Sequence, residues 1–449
     1  MGDGSKERSR GLAVFSWVLY DFANTIFSIS ILSFFFPVWL GGEIGRGGEA
    51  VFNGATAVSA LLVLMTAPVL GAMADLRQRR VPYLVVLTLI SVLFTALLDV
   101  GGGVVVAVAL FVAADLAYQS AQVFYNALLP GVAAGRGAGR VSGYGTAAGY
   151  VGTILALVVL TLFVSEAEAV RSLLGPLGGW VETGEEPNSN AFLPTAVLYL
   201  LFSLPAFLFV PDPVVRAPRH VALGAAYRDV ISTLKNLRGY TGVGTFILAT
   251  ILYMDAANTA VSNMALYGQR VFAMESVQIR DLLLFSTVFA VAGSTAAGFA
   301  TDRAGPKKTL LSILALWVVS IALVSAAVGP LMLFIAGPLV GIALGGTWTA
   351  SRVMLVALSP PEKVGEFFGL FSLAGRFSAV IGPALTALLL FLLGGLGSAA
   401  YRISVGSLLL IMLLGIFLLL RVPDVRPEGT VEEYAPNGRS EGARRGLKA

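Results

Sequence analysis

The chain has 449 residues, of which 57% are hydrophobic and only 12% charged, with a formal net charge of +4. A soluble surface needs about 25% charged residues, so most of this chain's outer surface must face something other than water. There is no cysteine and one histidine, His220, in a polar segment; disulfides, thiolate metal sites, cysteine nucleophiles and an intramembrane histidine relay are excluded, and because the basic residues are not gathered on one soluble unit no nucleic-acid partner is expected.

Residues 1–10 are polar and basic, and the apolar run that follows is too long for a signal-peptide core, so it reads as a retained first helix. Trp17 and Trp39 near the ends of that run read as interfacial anchors. A bilayer core of about 30 Å takes roughly 20 apolar residues per helix. By that measure twelve spans follow, at 12–40, 51–74, 82–100, 104–132, 141–164, 192–210, 241–272, 281–301, 308–328, 330–358, 366–391 and 396–421. The runs are continuous rather than alternating, which predicts helices and not a barrel. The fold class expected is therefore an all-α integral membrane protein.

Lys and Arg concentrate in alternate loops, at Lys6, Arg8 and Arg10, at Arg77, Arg79 and Arg80, at Arg136 and Arg140, at Arg303, Lys307 and Lys308, and in the linker and tail. That asymmetry predicts that both termini are cytoplasmic, in the cell membrane. Residues 165–191 form an outside loop rich in Glu. Residues 211–240 open with Pro211, Pro213 and Pro218, and Tyr227, Val230, Ile231, Leu234 and Leu237 recur at helical spacing. They predict a short interfacial helix between two halves. The division expected is 1–210 and 241–421 for the two six-helix halves, 211–240 for a cytoplasmic linker, and 422–449 for a disordered tail.

The halves repeat. Asp21, Asn24, Thr25 and Ser28 in span 1 match Asp255, Asn258, Thr259 and Ser262 in span 7, at offsets that put all four on one helix face. Gly71 to Arg77 after span 2 matches Gly298 to Lys308 after span 8, and Gly139, Gly143 and Gly149 match Gly365, Gly369 and Gly375. Six is even, so both copies start on the same side. Two parallel six-helix halves describe a secondary transporter with a site near the midplane.

Gly298-x-x-x-Asp302-Arg303-x-Gly305-x-Lys307 resembles the loop signature of the major facilitator superfamily. The segments Tyr20 to Thr25, Phe124 to Pro130, Ser351-Arg352 and Glu366 to Leu370 resemble the family of vacuolar amino-acid effluxers linked to autophagy, with its bacterial relatives. That resemblance implies two pseudo-symmetric halves, a cavity lined by spans 1, 4, 7 and 10, and export of amino acids.

Charge at the bilayer centre is costly and usually faces a cavity or a partner. Asp21, Asn24, Asp115, Tyr118, Gln119, Gln122, Tyr253, Asp255, Asn258, Trp348 and Arg352 are the candidate substrate-binding residues. Asp255, Asp115 and Asp21 are the candidates for proton coupling. Arg352 is permanently charged and can clasp a carboxylate with two parallel bonds, from a substrate or from Asp255 or Asp21. The competing reading for each is a hydrogen bond or ion pair that only positions helices. Asp75, Arg77, Asn126, Asp302, Arg303 and Arg376 are the candidate gating residues, the Asp carboxylates bonding helix N-termini or Arg across the boundary between halves.

The function expected is a secondary active transporter working by alternating access, exporting amino acids or similar small polar solutes, with possible coupling to protons. Acid, base and amide groups in one cavity suit a zwitterion, and equally a sugar or an organic anion. An exporter of amphipathic compounds and a non-transporting sensor on the same fold are the alternatives. No enzyme activity, cofactor or metal is expected; the partners expected are a small solute, protons and lipid, and the chain is expected to act as a monomer.

Overall fold

A computed structural model describes residues 2–77, 79–183, 187–212, 223–235, 240, 242–377 and 381–425. Ten helices are long and apolar enough to cross a bilayer, and two shorter apolar ones, Val81–Ala96 and Ile381–Leu396, stand at the places of spans 3 and 11. The twelve segments follow one another in the predicted order, and no strand occurs among the described residues. Their outward faces carry large apolar side chains in the open, such as Met65, Val105, Leu208, Val288 and Leu410. Only lipid accommodates so continuous an apolar exterior. The protein is an integral membrane protein built as two pseudo-symmetric six-helix halves.

One span differs from the simple run expected. Span 1 begins at Gly2, well before the apolar stretch, and is interrupted: α-helix over Gly2–Phe27, a π segment over Ser28–Phe34, then α-helix over Phe35–Ile44. The interruption falls directly after the Asp21/Asn24/Thr25 face. Hydropathy registers span 1 as one apolar run and cannot register its π segment. Span 11 is helical over Val364–Phe377 and over Ile381–Leu393.

The start of span 1 and the end of span 12 lie on one face. The Arg136 guanidinium donates to the Glu7 carbonyl at 3.2 Å, and the Lys307 ammonium to the Leu420 carbonyl at 3.0 Å. On this terminus-side face the apolar core is continuous between the halves, running from Trp17, Ala67, Phe124 and Val141 into Tyr253, Ala297, Met354 and Phe367. On the far face the first half keeps a separate core around Phe27, Phe36, Phe111 and Tyr199. Among the described residues the shared apolar core joins the halves on the terminus side, the arrangement of a two-bundle carrier closed on that side.

The linker helix forms over Leu223–Lys235. Val230 is buried against Val69, Ala72 and Met73 of span 2, while Tyr227 and Ile231 remain exposed. Asp212, just before it, accepts from the Arg80 and Val81 amides at 2.7 and 2.8 Å and so caps span 3. The side chain of Leu234, all of Leu237 and His220, and the tail from 426 onward lie outside the described residues.

Candidate functional site

Span 10 brings Arg352 to span 1. The Arg352 guanidinium donates to both Asp21 carboxylate oxygens, at 2.7 and 3.3 Å. Both residues are buried, at 9% and 4% exposure. Parallel bonds of this kind combine charge with fixed geometry, which Lys would not supply. Beneath the guanidinium lie the rings of Tyr125 and Trp17, with centroids 5.6 and 5.9 Å away. Those rings stack on each other at 4.4 Å, and the Trp17 indole donates to the Tyr125 carbonyl at 3.1 Å. Trp17 is therefore not an interfacial anchor. It is fully buried, because the helix starts two turns before the apolar run and carries this residue inside.

Span 5 approaches span 1 through glycines. A Cβ on Gly145 would lie 2.9 Å from an Asp21 carboxylate oxygen, and one on Gly149 would lie 2.7 Å from the Thr25 hydroxyl. Any side chain there would displace the carboxylate that Arg352 holds.

The polar faces of spans 1 and 4 meet. The Asn24 amide donates to Gln122 at 3.2 Å, the Gln122 amide donates to the Tyr118 hydroxyl at 3.2 Å, and Tyr199 of span 6 donates to Asn24 at 3.3 Å. Asp115 points elsewhere on the same half: it accepts from Ser59 of span 2 at 2.5 Å and from Gln119 at 3.1 Å. In the second half the Tyr253 hydroxyl shares hydrogen bonds of 2.9 Å with Thr250 and with Ser351, the neighbour of Arg352. Asp255, the repeat partner of Asp21, is fully buried and accepts from the Ile381 amide of span 11 at 3.1 Å. The equivalent carboxylates thus serve different contacts: Asp21 crosses to the other half, and Asp255 meets span 11 of its own. Asn258 and Trp348 are half-buried on spans 7 and 10.

At the terminus-side rim two Asp residues cap helices of the opposite half. Asp75, ending span 2, accepts from the Gly365 and Glu366 amides at 2.9 and 2.7 Å, the first turn of span 11. Asp302, ending span 8, accepts from the Gly139 and Arg140 amides at 2.7 and 3.1 Å, the first turn of span 5. A helix N-terminus offers free amides and partial positive charge, so each carboxylate completes its partner helix. Arg80 pairs with Asp75 at 2.9 Å, and Arg140 with Asp302 at 2.9 Å. Close backbone approach makes the crossing possible: a Cβ on Gly71 would sit 2.2 Å from the Gly365 carbonyl oxygen, and one on Gly139 2.4 Å from that of Gly298. Arg303 is exposed and Asn126 half-buried near this rim. The side chains of Arg77 and Arg376 lie outside the described residues.

The sequence does not assign Arg80, Trp17, Tyr125, Ser351 or the amides of Gly365 and Glu366 to the site: Trp17 reads there as an anchor, Arg80 as a loop charge, and Tyr125, Ser351 and Glu366 only as parts of family-like segments. Arg80 sits in the same basic cluster as Arg77, and only the fold shows which Arg reaches Asp75.

A cavity of about 110 Å³ lies between spans 7, 8, 9, 10 and 12, with Tyr150 of span 5 at its edge. None of the residues expected to bind substrate lines it.

Residues 39–430 match the vacuole effluxer Atg22-like family. An uncharacterized MFS-type transporter of Bacillus subtilis, YxiO, is 24% identical over 91% of this chain and 94% of its own length. Autophagy-related protein 22 of Yarrowia lipolytica is 25% identical over 66% of this chain and 53% of its own length. Among solved structures, the human organic anion transporter MFSD10 superposes with a TM-score of 0.67 at 15% identity, over 92% of this chain and 99% of that one. The chain belongs to the vacuole effluxer Atg22-like family, within the major facilitator superfamily; it is a membrane transporter, not an enzyme.

Proposed function

We propose that this protein is a secondary active transporter that exports amino acids, or similar small polar solutes bearing a carboxylate, by alternating access. The observation that carries the reading is the doubly hydrogen-bonded Arg352–Asp21 pair, which ties span 10 to span 1 at the end where the halves are closed. A solute carboxylate that takes Arg352 releases Asp21, so binding and opening are coupled through one guanidinium. A ligand shifts a conformational equilibrium only by its differential affinity for the two states, and this exchange supplies the difference. The polar chain Tyr199–Asn24–Gln122–Tyr118 beside the pair offers donors and acceptors to the rest of the solute. The resemblance of Tyr20 to Thr25, Phe124 to Pro130 and Glu366 to Leu370 to vacuolar amino-acid effluxers supports amino acids as the class.

In this reading Asp255, Asp115 and Asp21 are the candidates for carrying a proton, Asp75 and Asp302 with their Arg partners form the gate, and the protein works as a monomer in the cell membrane with both termini cytoplasmic. Counterflow in proteoliposomes tests it. Labelled amino acids are expected to exchange, and Arg352→Ala is expected to abolish exchange. Equal exchange by wild type and Arg352→Ala would remove the reading.

A further inference from the structure

The cavity in the second half is a different chemical environment from the Arg352 region. Gly341 and Leu344 of its wall precede Arg352 by several residues on span 10. At about 1.5 Å per residue these two residues are roughly 12–17 Å from Arg352 along the helix; only the Tyr150 edge of the cavity lies within electrostatic range of the Arg352–Asp21 pair. The cavity begins near mid-depth and extends toward the far face, through Tyr267 of span 7 and Val324 of span 9.

Its wall carries no charged residue. Most of its polar atoms are already spent on the protein. Ser286 donates to the Leu282 carbonyl at 2.7 Å, Thr287 to Leu283 at 2.8 Å and Ser320 to Leu316 at 2.7 Å. The Tyr267 hydroxyl donates to the Val324 carbonyl at 2.7 Å, and the Trp317 indole to the Thr347 hydroxyl at 3.0 Å. What remains toward the space is hydrocarbon, the thioether of Met264, the faces of Trp317 and Tyr267, and two polar groups with no hydrogen bond among the described residues, the Asn263 amide and the Tyr150 hydroxyl. A mostly apolar cavity lined by hydrophobic and aromatic side chains, with a few placed polar groups, is the usual form of a small-molecule site. Aromatic and thioether walls favour a flat ring over a flexible chain.

We propose that this cavity is a second ligand site, separate from the Arg352–Asp21 region, which takes an uncharged aromatic molecule with one hydrogen-bonding group held by Asn263. Tyr150 of the first half stands only at the edge of the space and every other lining residue belongs to the second half, so an occupant is held by the second half and moves with it.

N-phenyl-1-naphthylamine, an uncharged aromatic amine whose fluorescence rises in apolar surroundings, is the probe, titrated into protein-containing lipid nanodiscs with empty discs subtracted. A saturable component with energy transfer from tryptophan is expected, and Trp317→Phe is expected to cut the transfer while leaving saturation in place. Ala260→Phe, which fills the space, is expected to weaken binding by about tenfold or more, and Asn263→Leu, of similar volume, by several-fold. Asp21→Asn is expected to leave probe binding unchanged, which separates this proposal from the transport reading. Thermal unfolding of each variant without probe confirms folding. Unchanged affinity in a folded Ala260→Phe, loss of binding in Asp21→Asn, or no saturable component above empty discs would each overturn the proposal.

Discussion

Arg352 and Asp21, one from each half of the protein, are joined by two hydrogen bonds of 2.7 and 3.3 Å in a place that water barely reaches. Removing one partner of such a pair strands the other charge in a low-dielectric setting. Breaking a buried ion pair typically costs about 3–5 kcal/mol, whereas removing both charges together costs far less. Asp21→Asn and Arg352→Gln are each expected to lower the unfolding temperature in detergent, and the double variant to recover most of the loss while remaining inactive in transport. Additive losses in the double variant would mean that the two side chains do not act as a pair.

The caps at the rim hold only in the closed arrangement. Losing a cap costs about 0.5–2 kcal/mol, enough to move a two-state balance by several-fold. Ser142 of span 5 is fully buried and donates to the Thr349 carbonyl of span 10 at 3.0 Å, across the boundary. The chain has no cysteine of its own, so Ser142→Cys gives a single reporter. Maleimide labelling of that cysteine is expected to be slow in the wild-type background and faster when Asp75→Asn or Asp302→Asn is added.

Gly298 and Gly139 meet backbone to backbone, and a Cβ on Gly298 would lie 2.6 Å from the Gly139 carbonyl oxygen. Contact this close is required in the closed state and released on opening. Gly298→Ala is expected to insert and fold but to transport poorly, with the Ser142→Cys reporter exposed throughout. Normal transport by Gly298→Ala would show that this face never closes so tightly during the cycle.

Asp255 is the intramembrane carboxylate that accepts from the Ile381 amide of span 11. If a proton rides on it, imposing a pH gradient drives uptake in wild type, and Asp255→Asn abolishes that drive while retaining exchange at equal pH. Indifference to the gradient in wild type and variant alike removes proton coupling from the account.

On the far face Asp99 is exposed, yet partial desolvation, and next the neighbouring Glu182 and Glu43, push its carboxyl above the ordinary value. A carboxyl raised in the folded state is protonated more readily there than in the unfolded chain. Its contribution is therefore favourable at acid pH and is lost as pH rises through the raised value. Asp99→Asn is expected to melt above wild type at neutral pH, with the difference closing below pH about 4, where the unfolded side chain is also protonated.

Twelve apolar runs and the internal repeat made the architecture readable without coordinates, because lipid forces backbone bonding into helices of a set length. The repeat also marked Asp75 and Asp302 as equivalent, since each follows a matching glycine at the end of the second span of its half. Which Arg would meet which Asp was not readable. Arg352 and Asp21 are distant in sequence, and their pairing depends on how two whole bundles lean together. Trp17 looked like a surface anchor because hydropathy assigns it to the end of an apolar run, and only the extra turns before it put it inside. The cavity left no trace in the sequence: its Ser and Thr hydroxyls turn back to their own helices, and what makes the space is the shortfall of volume between five spans.

The most direct test of the central claim is a distance across the terminus-side face. Arg79 of the first half and Lys308 of the second are both exposed there, and replacing both with cysteine allows spin labels to be attached and their separation measured by pulsed dipolar spectroscopy. If the Arg352–Asp21 pair holds this face shut, wild type gives a short distribution, and Asp21→Asn moves it to longer distances, as does a transported carboxylate. A distribution that stays the same in Asp21→Asn would contradict the claim.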